Sequence, residues 1–311
     1  MATIQQYIFF DFEMFCSLEG TPFSEMEAIR LGAVKYDIAT KEISYFDQYI
    51  KPKNRNPLSS FCKELTGIMD EDLLFAPNFK QVFKEFLFWI GGVKRTRFFS
   101  WSTSDLLRLK LDAECHDIPL TTIQKIEKRY IDFQGIFAKR VSKSTLSVEH
   151  ALEKYGLSFV GDKHNPMWDS YNTLQIYLNF LDKPLATDLI MVNQYIRDEV
   201  PIVNSQLNQM ITKEIKKDTS FYLEEFRDTL RMRDAQKLLK KTRKLNEKYE
   251  NILLNRSGIF SEENILYSRL IVGFYHELLS AYEEHKAHSS KIMILDEHSV
   301  RPLYQFANVA Q

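Results

Sequence analysis

The chain has 311 residues, and its 41 basic and 42 acidic residues give a formal net charge of -1. The length suggests roughly two domains of about 100–200 residues each. A hydrophobic content of 44% is too high for a globally disordered chain, and the near-neutral charge excludes tight, nonspecific binding of polyanions over the whole surface. The cysteines are dispersed, and no signal-peptide or membrane-span pattern is found. The sequence therefore predicts a cytoplasmic protein without membrane association.

Strand and helix patterns alternate along the first half of the chain. β-rich or apolar runs predict strands at residues 7–10, 29–36, 43–50, 97–101 and 130–133. Helical patterns cover residues 79–90, 147–155 and 169–181. A further helix is expected from a cap at Ser102 or Thr103 to about Cys115. This order predicts a mixed α/β sheet with helices packed on it.

The rest of the chain has a helical character. Its apolar spacing predicts one long helix over residues 221–256 and a second over residues 262–284, separated by Ser257-Gly258. Two such helices suggest a hairpin or a small bundle, and the stretch from Lys291 is expected to be a short extended segment or a tail. We therefore predict a first domain at residues 1–183 and an all-α domain at residues 184–311.

Asp11 and Glu13 are the first residues with a chemical signature. Side chains alternate along a strand, so both carboxylates lie on one face, about 7 Å apart. Carboxylates this close raise each other's pKa, and a bound divalent cation removes the repulsion. Hard oxygen ligands favour Mg²⁺ or Mn²⁺. The alternative is a sheet edge at which both acids face water.

Two more acids and a histidine lie at predicted helix starts. Asp105 follows the fourth strand, where open α/β sheets form their sites, although the helix dipole alone also favours an acid there. Pro166 disfavours helix at Asn165, so His164 lies on a loop just before Asp169. A histidine in that position can act as a general base close to a metal ligand. The alternative is a surface histidine beside an ordinary helix-start acid.

The order and spacing of these residues resemble the DEDDh group of 3′–5′ exonucleases, which includes RNase T. The pattern is Asp-x-Glu near the start, an Asp about 90 residues on, and His-x-x-x-x-Asp about 60 residues further. Residues 57–68 (PLSSFCKELTGI) and 29–34 (IRLGAV) resemble segments of the enhanced-RNAi and histone-mRNA 3′-end exonucleases and of bacterial KapD-type proteins. The resemblance covers about residues 5–182.

The resemblance implies a ribonuclease H-like fold, with a mixed five-stranded sheet flanked by helices, and two bound divalent cations, Mg²⁺ or Mn²⁺. The implied metal ligands are Asp11, Glu13, Asp105 and Asp169, and the implied general base is His164. Contacts to the terminal nucleotide are implied for Phe12, Met14 and Thr66. Phe15 departs from the family, because many relatives have Thr there. Met167 and Trp168 stand where relatives often have an apolar residue and an acid, which affects substrate detail rather than the metal ligands.

The sequence thus predicts a metal-dependent 3′–5′ exonuclease that acts on single-stranded nucleic acid, with RNA or oligoribonucleotides favoured. The alternatives are a DNA 3′-end trimming exonuclease, or a regulatory or scaffold protein that uses the nuclease fold as a binding module. Between Arg227 and Lys248 nine basic residues face three acids. Such a helix is usually a solvated surface; the functional alternative is a contact of the C-terminal helices with nucleic acid or with a protein partner.

Overall fold

The computed structural model describes residues 3–16, 20–198, 204–224, 226–227 and 229–307. The chain divides into two compact units. The first unit is Met1–Lys139 with Ser144–Asp182, and the second is Arg140–Lys143 with Lys183–Gln311. The predicted division into domains of residues 1–183 and 184–311 stays a prediction.

The first unit contains a five-stranded sheet. Its strands are β1 (Gln6–Met14), β2 (Ala28–Asp37), β3 (Ile43–Tyr49), β4 (Thr96–Ser100) and β5 (Tyr130–Asp132). The order across the sheet is β3-β2-β1-β4-β5. The β1–β2 and β2–β3 pairs are antiparallel, whereas the β1–β4 and β4–β5 pairs are parallel. The predicted mixed sheet is confirmed.

Helices flank this sheet. They are α1 (Ser60–Thr66), α2 (Asp70–Leu74), α3 (Phe79–Ile90), α4 (Thr103–Cys115), α5 (Leu120–Glu127), α6 (Phe133–Phe137), α7 (Val148–Lys154) and α8 (Pro166–Asp182). A 3₁₀ turn at Val93–Arg95 precedes β4, and a π-helical turn at Ala138–Ser142 follows α6. The predicted stripe of α3 is confirmed, since Phe79, Phe83 and Phe86 are buried in the same core as Phe10 and Phe12 of β1.

The second unit is mainly helical. Its helices are α9 (Pro184–Tyr195), α10 (Asn204–Glu224), α11 (Met232–Tyr249), α12 (Glu262–Ala287) and α13 (Glu297–Ala307). Two short strands, β6 (Thr229–Arg231) and β7 (Ile292–Ile294), pair antiparallel, and a 3₁₀ helix covers Glu250–Leu254. Buried side chains of all five helices form one core.

The predicted single helix over residues 221–256 is wrong. The structure ends α10 at Glu224 and begins α11 at Met232, with β6 before it. Leu230, which continues the helical spacing in the sequence, instead pairs in a ladder with Met293 of β7, whose side chain is fully buried. The ladder with β7 provides hydrogen bonds for backbone N–H and C=O groups that would otherwise be bonded within a helix. This non-local pairing therefore overrides the helical spacing of the local sequence.

No helix in the described ranges is both long enough and apolar enough to cross a membrane. The cytoplasmic location stays a prediction.

Candidate active site

Helix α8 lies along one face of β1 and sets the position of Asp169. Tyr177 of α8 contacts Tyr7 and Phe9 of β1, with ring centroids 5.4 and 5.5 Å apart. Asp11 and Glu13 continue the same strand face, because side chains alternate along the strand. The first turn of α8 then brings Asp169 to them, and the carboxylate oxygens of these three acids lie within 4.8 Å of one another.

The start of α8 fixes the loop that carries His164. The Asn165 side chain accepts a hydrogen bond from the backbone N–H of Met167 at 3.1 Å, which caps the helix. His164 adopts a left-handed backbone conformation with φ of 60°. Its backbone N–H donates to the Asp169 carboxylate, so the loop and the acid are joined. The ring of Trp168 packs against Gly161, where an added Cβ would be 2.3 Å from it.

Asp105 reaches the other acids from the start of α4, just after the end of β4. Because β4 runs parallel to β1, the carboxyl ends of both strands lie at one edge of the sheet. The helix α4 begins there, and the Ser102 side chain caps it by accepting from the N–H of Ser104. Asp105 lies in its first turn, is 3% exposed, and accepts a hydrogen bond from the Phe12 N–H at 3.2 Å.

Burial raises the pKa of every one of these carboxyls, and the charges of neighbouring acids raise the pKa of Asp11 and Glu13 further. Burial, followed by the charges of Asp169 and Asp105, raises the pKa of Glu13 to about 8, although Arg30 partly opposes the rise. Burial raises the pKa of Asp105 and of Asp169 to about 7. The pKa of Asp11 is raised well above its ordinary value by burial and then by the neighbouring acids. It is therefore unfavourable for all four acids to be ionised at once unless positive charge is bound. Hard divalent cations such as Mg²⁺ or Mn²⁺ supply that charge and prefer oxygen ligands.

These residues surround one cavity of about 410 Å³. Its lining includes the five residues predicted for chemistry and two of the three predicted for nucleotide contact: Asp11, Glu13, Asp105, His164, Asp169, Phe12 and Met14. Thr66 is not among the described residues that line it. The Thr66 hydroxyl donates to the Cys62 carbonyl at 2.7 Å and accepts from the Ile68 N–H at 3.2 Å, and its nucleotide contact stays a prediction.

The sequence reasoning missed some residues of the cavity. Lys163 and Glu149 line it and form an ion pair at 2.7 Å between the Lys163 Nζ and a Glu149 carboxylate oxygen. Ser102 and Ser104 line it as well, beside Asp105. The only hint in the sequence was that Lys163 directly precedes His164. A neighbouring position in the sequence does not by itself indicate that a side chain faces the cavity.

Comparison with known proteins identifies the family to which this chain is similar. Residues 8–177 match the exonuclease family RNase_T. The chain is 28% identical over 186 residues to ERI1 exoribonuclease 2 of Danio rerio, an alignment that covers 53% of this chain and 33% of the relative. It is also 28% identical over 182 residues to 3′-5′ exoribonuclease 1 of Homo sapiens, covering 55% of this chain and 51% of the relative. The chain therefore spans about a third to a half of the length of these curated relatives.

Solved structures agree. The nuclease domain of 3′hExo, a DEDDh family member bound to rAMP, is 25% identical with a TM-score of 0.53, and the match covers 59% of this chain and 95% of that domain. Cell-death related nuclease 4 has the same fold, at 23% identity and a TM-score of 0.51, with 58% of this chain and 64% of that chain covered. The predicted ribonuclease H-like fold is confirmed. Since the family match covers more than half of its residues, the chain belongs to the RNase T exonuclease family, in the DEDDh group.

Proposed function

We propose that the protein is a divalent-metal-dependent 3′–5′ exonuclease that removes nucleoside monophosphates from the 3′ ends of single-stranded nucleic acid. The observation that carries the proposal is the approach of the Asp11, Glu13 and Asp169 carboxylates within 4.8 Å, in the cavity that Asp105 and His164 also line. RNA is the preferred substrate in this proposal, because the curated relatives are named exoribonucleases and 3′hExo was solved with rAMP.

Asp11, Glu13, Asp105 and Asp169 would hold two divalent cations. Bound cations of this kind lower the pKa of water and offset the negative charge of a phosphodiester at the reacting centre. The four acids supply the matching negative charge. Their pKa values are raised, so full ionisation of the cluster is unfavourable, and a bound cation would make it favourable. Without cations the cluster repels phosphate or binds protons, and in either state it cannot bind the substrate productively.

His164 is the proposed general base. His164 is exposed, lines the cavity and is joined to Asp169 through its backbone N–H, so its ring would have access to solvent and to a phosphodiester bound in the cavity. One ring nitrogen accepts a proton from the water whose oxygen forms the new bond to phosphorus. The bond from phosphorus to the 3′ oxygen of the preceding nucleotide breaks, and that oxygen takes a proton from solvent.

Phe12 and Met14 would contact the terminal nucleotide. The Phe12 ring is buried in the core, with its centroid 6.1 Å from that of Phe10 and 6.3 Å from that of Phe79. We therefore propose that Phe12 contacts the nucleotide through its backbone. The Met14 side chain packs against the same core but is only partly buried and lines the cavity, so it can contribute a side-chain contact.

One gel tests class, direction and sugar preference together. The full chain is incubated with 5′-labelled single-stranded RNA or DNA in Mg²⁺, Mn²⁺ or EDTA, beside Asp11→Asn. A descending ladder on RNA that disappears in EDTA and in the variant supports the proposal. A faster ladder on DNA identifies the DNA-trimming alternative, and binding without any cleavage in either metal identifies a binding module.

A further inference from the structure

The helical unit contains a cavity of about 710 Å³, larger than the one at the acid cluster. We call it the basic groove, after the six basic residues in its lining: Arg227, Arg231, Lys237, Lys241, Lys244 and Lys248. Its described lining also contains two acids, Asp218 and Asp234, so the groove has a formal surplus of four positive charges. A charge of this size in a concave surface focuses the potential on an anionic ligand.

Four of these residues form a row on α11. Lys237, Lys241, Lys244 and Lys248 are spaced by four, three and four residues, which places them on one face of the helix. The row is about 16 Å long at 1.5 Å per residue. At about 3.4 Å per nucleotide, this length matches about five nucleotides of a stacked single strand.

The two acids of the described lining lie at the two ends of the row, against Lys248 and Lys237. Asp218 lies against Lys248 and also accepts a hydrogen bond from Tyr249 at 2.7 Å. Asp234 is 3.7 Å from Lys237, an exposed contact that contributes little. Lys241 and Lys244, in the middle of the row, are both exposed.

The floor and one wall of the groove are apolar. The buried side chains of Leu238, Leu245 and Tyr222 form the floor, and Phe221 lines the groove with 68% of its side chain exposed. An aromatic ring this exposed beside a row of lysines is the arrangement with which proteins bind single strands, because the ring stacks on a base while the lysines contact phosphates.

We propose that the basic groove binds the backbone of a single-stranded nucleic acid, with a base stacked on Phe221. The proposal rests on the proposed function for the class of ligand, since a nuclease of this family acts on a single-stranded polyanion. A membrane surface is disfavoured because these charges line a concavity rather than a plane. An acidic peptide would satisfy the lysines but has no base to stack on the exposed ring.

The test compares two double variants of the full chain with equal changes in charge. Lys241→Gln with Lys244→Gln alters the groove, whereas Lys240→Gln with Arg243→Gln alters exposed residues of the same helix that are outside its described lining. Binding of fluorescein-labelled oligouridylate RNA is measured by anisotropy in EDTA, over a range of KCl concentrations. We expect the groove variant to bind about tenfold more weakly and its salt slope to fall by about 1.4, at about 0.7 per lost phosphate contact.

Further measurements distinguish RNA from an acidic peptide as the ligand, and the basic groove from the acid cluster as the site affected. Phe221→Ala is expected to weaken RNA binding by at least about fivefold. All variants are expected to hydrolyse the p-nitrophenyl ester of thymidine 5′-monophosphate in Mn²⁺ like the wild type, since this small ester needs the acid cluster alone. Equal RNA affinity and salt slope in the groove and control variants would overturn the groove proposal. Polyglutamate serves as the acidic-peptide probe, and a groove variant that loses polyglutamate binding but keeps RNA binding would also overturn it. A wild type that binds RNA through the groove but hydrolyses nothing would overturn the proposed function instead.

Discussion

Gly32 lies directly opposite Asp11 in the β1–β2 ladder, and it is the residue over which the start of α8 passes. A Cβ atom on Gly32 would be 1.9 Å from the backbone nitrogen of Met167, far inside any tolerated contact. The Ser170 hydroxyl also donates to the Gly32 carbonyl at 3.2 Å. The absence of a side chain at Gly32 therefore allows the first turn of α8 to rest on β2 and to bring Asp169 beside Asp11.

Gly32→Ala should therefore damage the site from a position that touches no substrate. The backbone of Met167 must move away from the sheet, and Asp169 moves with it. We expect a loss of about 1–3 kcal/mol in stability from overpacking and a loss of activity of about 100-fold from a misplacement of about 1 Å. Tryptophan fluorescence during urea unfolding measures the stability of the first unit, because Trp89, Trp101 and Trp168 all lie in it.

Gly273→Ala is the matched control. Gly273 lies inside α12, and apart from its chain neighbours and the backbone of its own helix, no atom of the described residues lies within 4 Å of its added Cβ. Alanine there should leave activity unchanged and stabilise the helix slightly. Wild-type metal affinity and activity in Gly32→Ala would contradict the proposed role of the close approach.

The acid cluster should make the metal-free protein less stable as the pH rises. The folded-state pKa values of about 7 for Asp105 and Asp169 and about 8 for Glu13 lie above the ordinary carboxyl values of about 4. The folded protein thus binds more protons than the unfolded chain over this range. The contribution to stability is complete below about pH 4 and is lost as the pH rises through about 7 to 8.

Thermal unfolding in EDTA at pH 5 and pH 8 measures this loss, and Asp11→Asn isolates its cause. The variant removes one charge from the cluster, so it should melt higher than the wild type at pH 8, and the difference should shrink at pH 5. Mn²⁺ should raise the melting temperature of the wild type at pH 8 more than at pH 5, because the cation competes with protons. Equal melting of the two proteins in EDTA at pH 8 would show that the acids do not repel each other.

Local patterns predicted the first part of this site well. Alternation placed Asp11 and Glu13 on one strand face, and the structure confirms the cap of α4 at Ser102. The approach of Asp169 was not predictable from local pattern, since it depends on the absence of a side chain at Gly32, on a different strand. The sequence supplied that contact only through the family resemblance.

The errors in the helical unit have the same physical origin. Leu230 fits a helical period, but its backbone pairs with Met293, more than 60 residues further along the chain. The helix α13 was missed because it contains Pro302, which normally disfavours helix. In both places a non-local contact decides the backbone conformation, and no window of neighbouring residues contains that contact.

His164→Asn should separate proton transfer from metal binding. Asparagine tolerates the left-handed backbone that His164 adopts, so the loop is kept while the imidazole is lost. We expect the turnover rate to fall by about 10²- to 10⁴-fold, with Mn²⁺ affinity within about twofold of the wild type by calorimetry because no metal ligand is removed. Full activity in this variant, or in His164→Ala, would rule out the proposed base.

Arg108 and Asp112 of α4 form a buried ion pair, and hydrogen bonds from this pair link α4 to the start of β2 and the residues before it. The Arg108 Nε and Nη2 atoms lie 3.0 and 3.1 Å from the two Asp112 carboxylate oxygens, and both side chains are 2% exposed. Asp112 also accepts from the Ala28 N–H at 3.1 Å, and Arg108 donates to the carbonyls of Phe23 and Met26. The pair therefore orders the segment that leads into β2.

Arg108→Met should destabilise the first unit by about 3–5 kcal/mol in urea, because it leaves the Asp112 carboxylate buried without a partner. Burial already raises the pKa of Asp112 to about 6, so the unpaired carboxyl takes up a proton readily in acid, and the loss should be smaller at pH 5 than at pH 8. Lys110→Met on the same helix is the control. It breaks an ion pair with Glu127 whose side chains are 37% and 43% exposed, and should cost less than about 1 kcal/mol. Equal losses in the two variants would mean that the buried pair contributes no more than a surface contact.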